Sequence, residues 1–197
     1  MSKNVIAIVG MCGSGKSVAS DILEDLGYKK VYFGQVTMDK LKEENLEVNP
    51  ENEKNIRERL RKELGMGAYA KILLPKIISL SALDNIVLDG LYSWDEYKIL
   101  KENLSNFKLI CIVVDKDIRY ERLEKREIRP LTNEEASKRD VAEIENLAKG
   151  GPISFADYYI FNNGSIADYK IRLNEILEKI EKGEEKNGNK GKILRIF

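Results

Sequence analysis

The chain has 197 residues, with 33 Lys and Arg balanced by 33 Asp and Glu, no histidine and two cysteines. This length suits one domain, and the zero net charge argues against a general polyanion binder, which needs a basic surplus. Without histidine there is no Ser-His-Asp or Cys-His triad, no histidine base and no histidine-containing zinc site. Cys12 and Cys111 are too few for a disulfide scaffold or a four-cysteine metal site, and they fit a reducing compartment. The apolar runs are too short for a membrane span or a signal peptide, so we expect a cytoplasmic protein.

The predicted elements alternate between strands and helices. Val5–Val9 is a continuous apolar run rich in β-branched residues, typical of a strand buried on both faces, and Gly10 ends it. A helix follows, with Val18, Ile22 and Leu26 at helical spacing and Gly27 just beyond its end. Further strands are predicted over 31–33, 86–88, 109–114 and 158–161, and helices over 52–64, 68–80 with an interruption at Pro75, 117–127, 132–149 and 166–180.

The helix predicted over 132–149 has a sequence signal at each end. Thr132 and Glu135 have the spacing of a capping box, and Gly150-Gly151-Pro152 is expected to stop the helix. Strands separated by helices predict βαβ units, so the expected fold is a parallel sheet with helices on both faces. Ligands of such sheets bind at the carboxyl ends of the strands, where Gly10, Gly34, Asp89 and Asp115 are expected to form one rim.

The first strand and the first helix are joined by a complete phosphate-binding motif. Residues 10–17 match G-x-x-x-x-G-K-[ST] in the strand–helix context that this pattern requires. Its backbone N–H groups and the helix dipole bind phosphates, Lys16 adds a charge on the β- and γ-phosphates, and Ser17 can ligate Mg²⁺. The nucleotide-binding residues predicted here are Gly10, Met11, Cys12, Gly13, Ser14, Gly15, Lys16, Ser17 and Val18. Cys12 is interpreted as a small residue at a variable loop position, with a redox-active thiol as the alternative.

Asp89 is the acidic residue expected beside this loop. It ends a buried strand, where a carboxylate can hold Mg²⁺ through water or accept a proton from an attacking hydroxyl. Asp115 also follows a strand, but Asp115-Lys116-Asp117 has the character of a helix N-terminus. We therefore favour Asp89, because Gly90 permits close approach of a substrate.

Arginines cluster in the C-terminal half. Arg119, Arg122 and Arg126 recur at i, i+3 and i+7 and are expected to share one helix face, with Arg129 and Arg139 following. Guanidinium groups from a mobile lid can meet the charge of a phosphoryl group in transfer. The alternative is a solvated helix with local pairs such as Glu135–Arg139.

Together these motifs resemble those of nucleoside monophosphate kinase-like P-loop kinases. The C-terminal half, with Arg122-Leu123-Glu124-Lys125-Arg126, Arg139, Ala156-Asp157-Tyr158 and Asn163-Gly164-Ser165, is most similar to dephospho-coenzyme A kinase. The whole chain is also similar to largely archaeal adenylate-kinase-related proteins. The resemblance implies a three-layer P-loop NTPase fold with a five-stranded parallel sheet, helices on both faces and a small helical lid.

The resemblance also implies roles for particular residues. Arg122 lies near the nucleotide base and Arg126 reaches the phosphates. Arg139 closes on the transferred group, and Asn163 and Gly164 line the base. The catalytic set is then Lys16, Asp89, Arg126 and Arg139, and the metal site is Ser17 with Asp89 through water.

The acceptor side departs from these families. Adenylate kinases carry Gly-Asp followed by an arginine after the second strand, whereas this chain has Gly34-Gln35-Val36. Arg57 and Arg61, one helical turn apart, can replace the missing cation, or they can be solvated partners of residues such as Glu53. Tyr92 and Trp94 can stack on an acceptor base, or pack as core residues. The expected acceptor-binding residues are Gly34, Arg57, Arg61 and Tyr92.

The sequence thus predicts an ATP- and Mg²⁺-dependent kinase for a small nucleotide-like acceptor, of the nucleoside monophosphate or dephospho-coenzyme A type. The alternatives are a nucleotide-dependent regulatory switch and a kinase acting on nucleic acid, which the zero net charge disfavours. We expect one domain over 1–182, with acceptor-side helices at about 36–80, a lid at about 128–150 and a charged tail over 183–197. No membrane or nucleic-acid partner is expected, and the chain is expected to be a monomer or a homodimer.

Overall fold

The computed structural model describes residues 3–182, so the predicted tail over 183–197 lies outside the described residues. The strands are β1 (Val5–Val9), β2 (Lys29–Tyr32), β3 (Ile86–Asp89), β4 (Phe107–Val113) and β5 (Tyr158–Phe161). The helices are α1 (Lys16–Asp25), α2 (Gln35–Glu43), α3 (Pro50–Leu64), α4 (Ala68–Ser81), α5 (Trp94–Asn103), α6 (Lys116–Lys125), α7 (Asn133–Glu145), α8 (Gly150–Ser154) and α9 (Ile166–Glu181).

Within residues 3–182 the five strands form one parallel sheet in the order β2-β3-β1-β4-β5. The central strand β1 is buried throughout because helices cover both faces of the sheet. Val5, Ala7 and Val9 face a core formed with α2, α3, α4 and α5, while Ile6 and Ile8 face a core formed with α1 and α9. The predicted three-layer fold with a five-stranded parallel sheet is confirmed.

Several predicted details of the helices were wrong. On α1 the buried positions include Ala19 and Leu23, whereas Leu26 lies beyond the helix and is exposed. Pro75 does not split α4, which runs unbroken from Ala68 to Ser81. The helix opened by Thr132 ends at Glu145 rather than Lys149, and Gly150-Gly151-Pro152 begins α8 instead of stopping a helix.

Helix α5 was not predicted, although its start carries a complete capping box. Ser93 Oγ accepts from the N–H of Glu96 at 3.1 Å, and Glu96 Oε2 accepts from the N–H of Ser93 at 2.9 Å. Ser93 Oγ also donates to the carbonyl of Met66 at 2.9 Å, which ties α5 to the segment before α4. Within residues 3–182 no helix combines the length and the apolar composition needed to cross a bilayer.

Ser93→Ala should cost about 2 kcal/mol of unfolding free energy, because a buried cap and a second buried hydrogen bond are lost together. Ser165 is the matched control, since it caps α9 with the same box but is exposed. Ser165→Ala should cost about 1 kcal/mol. Urea unfolding of the two variants measures both costs, and equal losses would contradict the contribution of the Met66 contact.

Candidate active site

The phosphate loop turns sharply between β1 and α1, and its backbone requires glycine at Gly10, Gly13 and Gly15. Gly10 has φ +152° and Gly15 has φ +92°, both in the region that favours glycine. A Cβ on Gly10 would lie 2.5 Å from the carbonyl oxygen of Ile112, and one on Gly15 would lie 2.7 Å from Asn162 Nδ2. The loop therefore folds in contact with β4 and with the segment after β5.

Carbonyl oxygens of this loop are held by side chains from other elements. Arg119 Nη1 donates to the carbonyl of Cys12 at 2.9 Å, and Asn162 Nδ2 donates to that of Ser14 at 3.0 Å. Tyr169 Oη donates to the carbonyl of Gly15 at 3.0 Å. With these carbonyls bound by side chains, the curl of the loop is fixed, and the first N–H groups of α1 keep no intrahelical partner and remain available to an anion.

Sequence reasoning missed these supports. Asn162 stands beside Asn163, which was assigned instead, and Tyr169 was assigned only to the apolar stripe of α9. Arg119 was predicted to share a face with Arg122 and Arg126, but its buried guanidinium pairs with Asp140 at 2.7 and 3.0 Å. Cys12 packs in a small cluster with Tyr120, Leu123 and Ala136.

Lys16 lies among charged groups of the predicted lid segment and of β3. Its Nζ donates to the carbonyl of Met11 at 2.9 Å. Burial, and next the positive charge of Lys149, lower the pKa of Lys16 from 10.5 to about 8, against the opposing effects of Glu143, Cys12 and Asp89. These charges surround the place where a terminal phosphate meets Lys16.

Asp89 is buried at the end of β3. Burial raises the pKa of Asp89 above its ordinary 3.8, opposed by the charges of Lys30 and Lys16. Asp89 follows Val87 by two residues, and Val87 belongs to the core on the α1 side of the sheet. The carboxylate therefore faces α1 and its phosphate loop.

The oxygen donors fit a magnesium ion held mainly by phosphates and water. Ser17 is exposed in the first turn of α1, and Asp89 lies at the end of the neighbouring strand. Within residues 3–182 no cluster of three or more acidic, cysteine or histidine residues is arranged to hold a metal ion by itself. Mg²⁺ commonly keeps several waters and takes only one or two protein oxygens, so this donor set suits it.

The residues predicted to meet the nucleotide base lie on the β4, β5 side of the loop. Asn163 Oδ1 accepts from the N–H of Asp115 at 3.0 Å, which joins the segments after β5 and β4. Arg122 is half-buried on α6. Burial raises the pKa of Tyr169, and the positive charge of Arg122 opposes that rise. Gly164 directly precedes the capping residue Ser165 of α9. Val18 is half-buried and packs against the core between α1 and α9.

The predicted lid arginines lie at the two ends of one segment. Arg126 follows the last residue of α6, and its Nε donates to the carbonyl of Arg129 at 2.5 Å. Arg139 pairs with Glu143 at 3.4 Å. The Glu135–Arg139 pair offered by the alternative interpretation does not form, because the Glu135 carboxylate is bound by the N–H and hydroxyl of Thr132.

A cavity of about 770 Å³ opens between α2, α3, the end of β3 and α7. Its lining residue Gly90 directly follows Asp89, at the end of the strand next to β1 and its phosphate loop. The predicted acceptor residues Gly34, Arg57, Arg61 and Tyr92 all line it, together with Arg139 of α7. Trp94 instead packs against Tyr97 and Phe155 at centroid distances of 5.1 and 4.9 Å, so its core interpretation holds.

Acidic residues that sequence reasoning did not assign organise this cavity. Glu53 is buried and accepts from Arg57 at 3.3 Å and from Arg129 at 2.9 Å. Glu143 accepts from the fully buried Lys149 at 2.6 Å. Glu53 was considered only as a solvated partner of Arg57, and Lys149 only as the end of a helix.

Two buried polar atoms at the site have no hydrogen-bond partner in the described part of the chain. They are Ser14 Oγ in the phosphate loop and Arg61 Nε beside the cavity. A buried unsatisfied polar group costs about 1–3 kcal/mol. Ligand groups that satisfied these atoms would recover that free energy.

The parallel sheet with a phosphate loop at the carboxyl end of β1 defines a P-loop protein of kinase-like fold. Residues 6–143 match the family model described as an AAA domain. The UPF0200 protein of Thermococcus gammatolerans is 32% identical over 189 residues, which cover 93% of this chain and 99% of that one. The chain therefore belongs to the UPF0200 proteins.

Solved structures of small-molecule kinases share the fold. The shikimate kinase from Acinetobacter baumannii in complex with shikimate matches with a TM-score of 0.60 and 17% identity, over 94% of this chain and 97% of that chain. The dephospho-CoA kinase from Campylobacter jejuni matches with a TM-score of 0.54 and 20% identity, over 93% of this chain and 100% of that chain. The predicted likeness to dephospho-coenzyme A kinase is confirmed for the fold, while the matched relatives carry the name UPF0200 rather than adenylate kinase.

The lowered pKa of Lys16 predicts how nucleotide binding depends on pH. Phosphate binding favours the ammonium form, so ATP affinity should be highest below the pKa of about 8 and should fall as the pH rises through it. Lys16→Arg keeps its charge throughout this range and should remove the alkaline fall. Titration calorimetry at about pH 7 to about pH 9 measures both proteins. A wild-type affinity that stays constant across this range would contradict the assignment of Lys16 to the phosphates.

The Arg119–Asp140 pair predicts a separable effect on stability and binding. Asp140→Ala leaves a buried guanidinium without its carboxylate and should cost about 3–5 kcal/mol of unfolding free energy. The double variant Arg119→Met, Asp140→Leu should recover most of that loss, because apolar residues replace a buried pair at little cost. It should still bind ATP more weakly, since the carbonyl of Cys12 has lost its donor. Urea unfolding and ATP titration measure the two effects, and full ATP affinity in the double variant would argue against the loop contact.

Proposed function

We propose that this protein is a kinase that transfers the γ-phosphoryl group of ATP to a small acceptor bound in the cavity between α2, α3 and α7. The proposal rests on one observation, that the phosphate loop and a second cavity lie close together. A phosphate loop with fixed curvature lies beside a cavity of about 770 Å³, and the cavity is lined by Gly90 of the β3 end and Arg139 of α7. A simple binding module needs the loop but not the second cavity.

Each group has a role in this proposal. The loop N–H groups and Lys16 bind the β- and γ-phosphates, and Arg122, Asn163 and Gly164 surround the base. Ser17 and Asp89, the latter through water, hold the Mg²⁺ that offsets phosphate charge. Arg126 and Arg139 approach the transferred group from the lid over 128–150, and Gly34, Arg57, Arg61 and Tyr92 bind the acceptor.

Catalysis in this proposal is positioning and charge compensation. Phosphoryl transfer needs an acceptor held in line with the terminal phosphate and cations for the equatorial oxygens. Closing the lid excludes water and suppresses wasteful hydrolysis. The fold shared with shikimate kinase and dephospho-CoA kinase supports a small-molecule acceptor, since those proteins are kinases by name.

Lys16→Ala should lower acceptor-stimulated release of ADP by at least about a hundredfold, because it removes the cation on the transferred phosphate. The assay follows ADP from ATP and Mg²⁺ with nucleoside monophosphates, dephospho-coenzyme A, shikimate and short oligonucleotides as acceptors. Lys29→Ala is the matched control, because Lys29 is an exposed lysine on β2.

The outcomes separate three classes of protein. Stimulation by a small molecule supports the kinase, and stimulation by oligonucleotides alone indicates a nucleic-acid kinase. If ATP binds tightly and no acceptor accelerates its consumption, the kinase assignment fails and a nucleotide-dependent switch takes its place.

A further inference from the structure

Glu143 presents a carboxylate to the acceptor cavity and is held there by two cations. It is buried on α7 and lines the cavity. Its Oε2 accepts from Lys149 Nζ at 2.6 Å, and its Oε1 accepts from Arg139 Nε at 3.4 Å. Lys149 is fully buried, and its ammonium group lies 4.6 Å from the centre of the Tyr92 ring. The pair therefore joins α7 to the loop after β3.

This arrangement decides which kind of reacting group the cavity suits. An acceptor phosphate brings a charge of roughly −1.5 to −2 to a place beside the donor phosphates, and it needs cations that are not already neutralised. Instead, Arg139 and Glu143 line the cavity and bind each other, whereas Lys149 is buried outside the lining. A carboxylate in this position repels a phosphate, but it accepts a hydrogen bond from a hydroxyl group.

The opposite end of the cavity has the reverse character. Arg57 and Arg129 share the single carboxylate of Glu53. In the described part of the chain the Arg61 guanidinium has no ion pair, and its buried Nε has no hydrogen-bond partner. The guanidinium carbon Cζ of Arg61 lies 5.7 Å from the centroid of the Tyr69 ring.

The other two acidic residues of the cavity are already bound. Glu58 pairs with Lys54 at 3.7 Å, and Glu96 caps α5. In the described part of the chain, Arg61 is therefore the cavity arginine that no carboxylate binds directly, and the carboxylate on which its charge acts, Glu96, is buried as the cap of α5.

Resting on the proposed kinase function, we propose that the acceptor is a hydroxyl compound with an anionic group at its other end. The hydroxyl donates to Glu143, and the phosphate or carboxylate of the acceptor binds Arg61. Glu143 is then a catalytic residue of the acceptor site, and Lys149 is a positioning residue that acts through it.

The transfer step balances with these groups. The acceptor oxygen forms a bond to the γ-phosphorus while the bond from that phosphorus to the β,γ-bridging oxygen breaks. ADP leaves with the electron pair of the broken bond, and the hydroxyl proton passes to the carboxylate of Glu143. The product is a phosphate ester rather than a phosphoanhydride.

The experiment determines the linkage in the product. The full chain is incubated with ATP, Mg²⁺ and single probes: dephospho-coenzyme A, shikimate, glycerol 3-phosphate, and the four common ribonucleoside monophosphates. Phosphorus NMR distinguishes an ester from an anhydride, including on a nucleotide that offers both a hydroxyl and a phosphate. An ester supports the proposal. An anhydride overturns it and leaves the kinase function standing, whereas no product with any probe overturns both.

Variants test the assigned residues on the probe that reacts. Glu143→Gln should lower kcat by about a hundredfold or more, because the amide keeps the shape but not the basicity, and it should change ATP affinity far less, since Glu143 acts on Lys16 only through its charge. Glu145→Gln, an exposed position on the same helix, is the control and should react as wild type. Arg61→Met should raise the acceptor KM about tenfold to a hundredfold, with Lys62→Met as its control. Wild-type kcat in Glu143→Gln, or wild-type KM in Arg61→Met, overturns that assignment.

Two further variants separate chemistry from folding. If Glu143→Gln folds poorly, the double variant Glu143→Gln, Lys149→Met removes both buried charges and should fold while remaining inactive. Lys149→Met alone should lower kcat by a larger factor than it changes ATP affinity, which Lys149 affects only through its charge on Lys16. Its effect on kcat should not add to that of Glu143→Gln. An active double variant, or a loss in Lys149→Met confined to thermal stability, would contradict the role given to this pair.

Discussion

The carbonyl oxygens of the phosphate loop are the constraint on which the site depends. A loop that turns its N–H groups toward an anion must turn carbonyls away from it, and buried carbonyls need donors. Arg119, Asn162 and Tyr169 supply those donors from α6, from the end of β5 and from α9. Because the donors come from three separate elements, the loop has its shape only when the sheet and the helices flanking it are assembled.

Paired charges then explain how a chain of zero net charge builds a site for anions. Arg119 pairs with Asp140, and Lys149 pairs with Glu143, each in a buried position. Buried ion pairs contribute little net stability, since desolvation offsets their attraction, but removing one partner is costly. Such pairs therefore fix geometry rather than add affinity. Among residues 3–182, Arg61 is the cavity arginine without an ion pair, and it is therefore free to bind a ligand.

The sequence was sufficient for features set by local pattern. The strands followed from β-branched runs, the phosphate loop from its motif, and Arg57 and Arg61 from helical spacing. It was insufficient where one residue had two possible partners. Glu135 had the spacing to pair with Arg139, but it binds Thr132 at the start of α7, which leaves Arg139 to the next turn.

Contacts across long stretches of chain were also beyond the sequence pattern. Asn162 meets Ser14 across 148 residues, and no periodicity marks that contact. Lys149 was assigned to a helix that in fact ends at Glu145, and only the resulting turn brings its ammonium group back to Glu143. A charged residue at a helix end is ordinarily solvated, so its complete burial follows from tertiary packing alone.

The segment around α7 is joined to both halves of the proposed reaction. Asp140 connects it through Arg119 to the phosphate loop, while Arg129, just before α7, reaches Glu53 on the acceptor helix α3. A ligand on either side that competes for one of these charges changes the free energy of the same segment. An anion bound at Arg61 lies one helical turn from Arg57, which shares Glu53 with Arg129. In the proposed kinase, acceptor binding and the position of the predicted lid are thereby coupled through the buried carboxylate of Glu53.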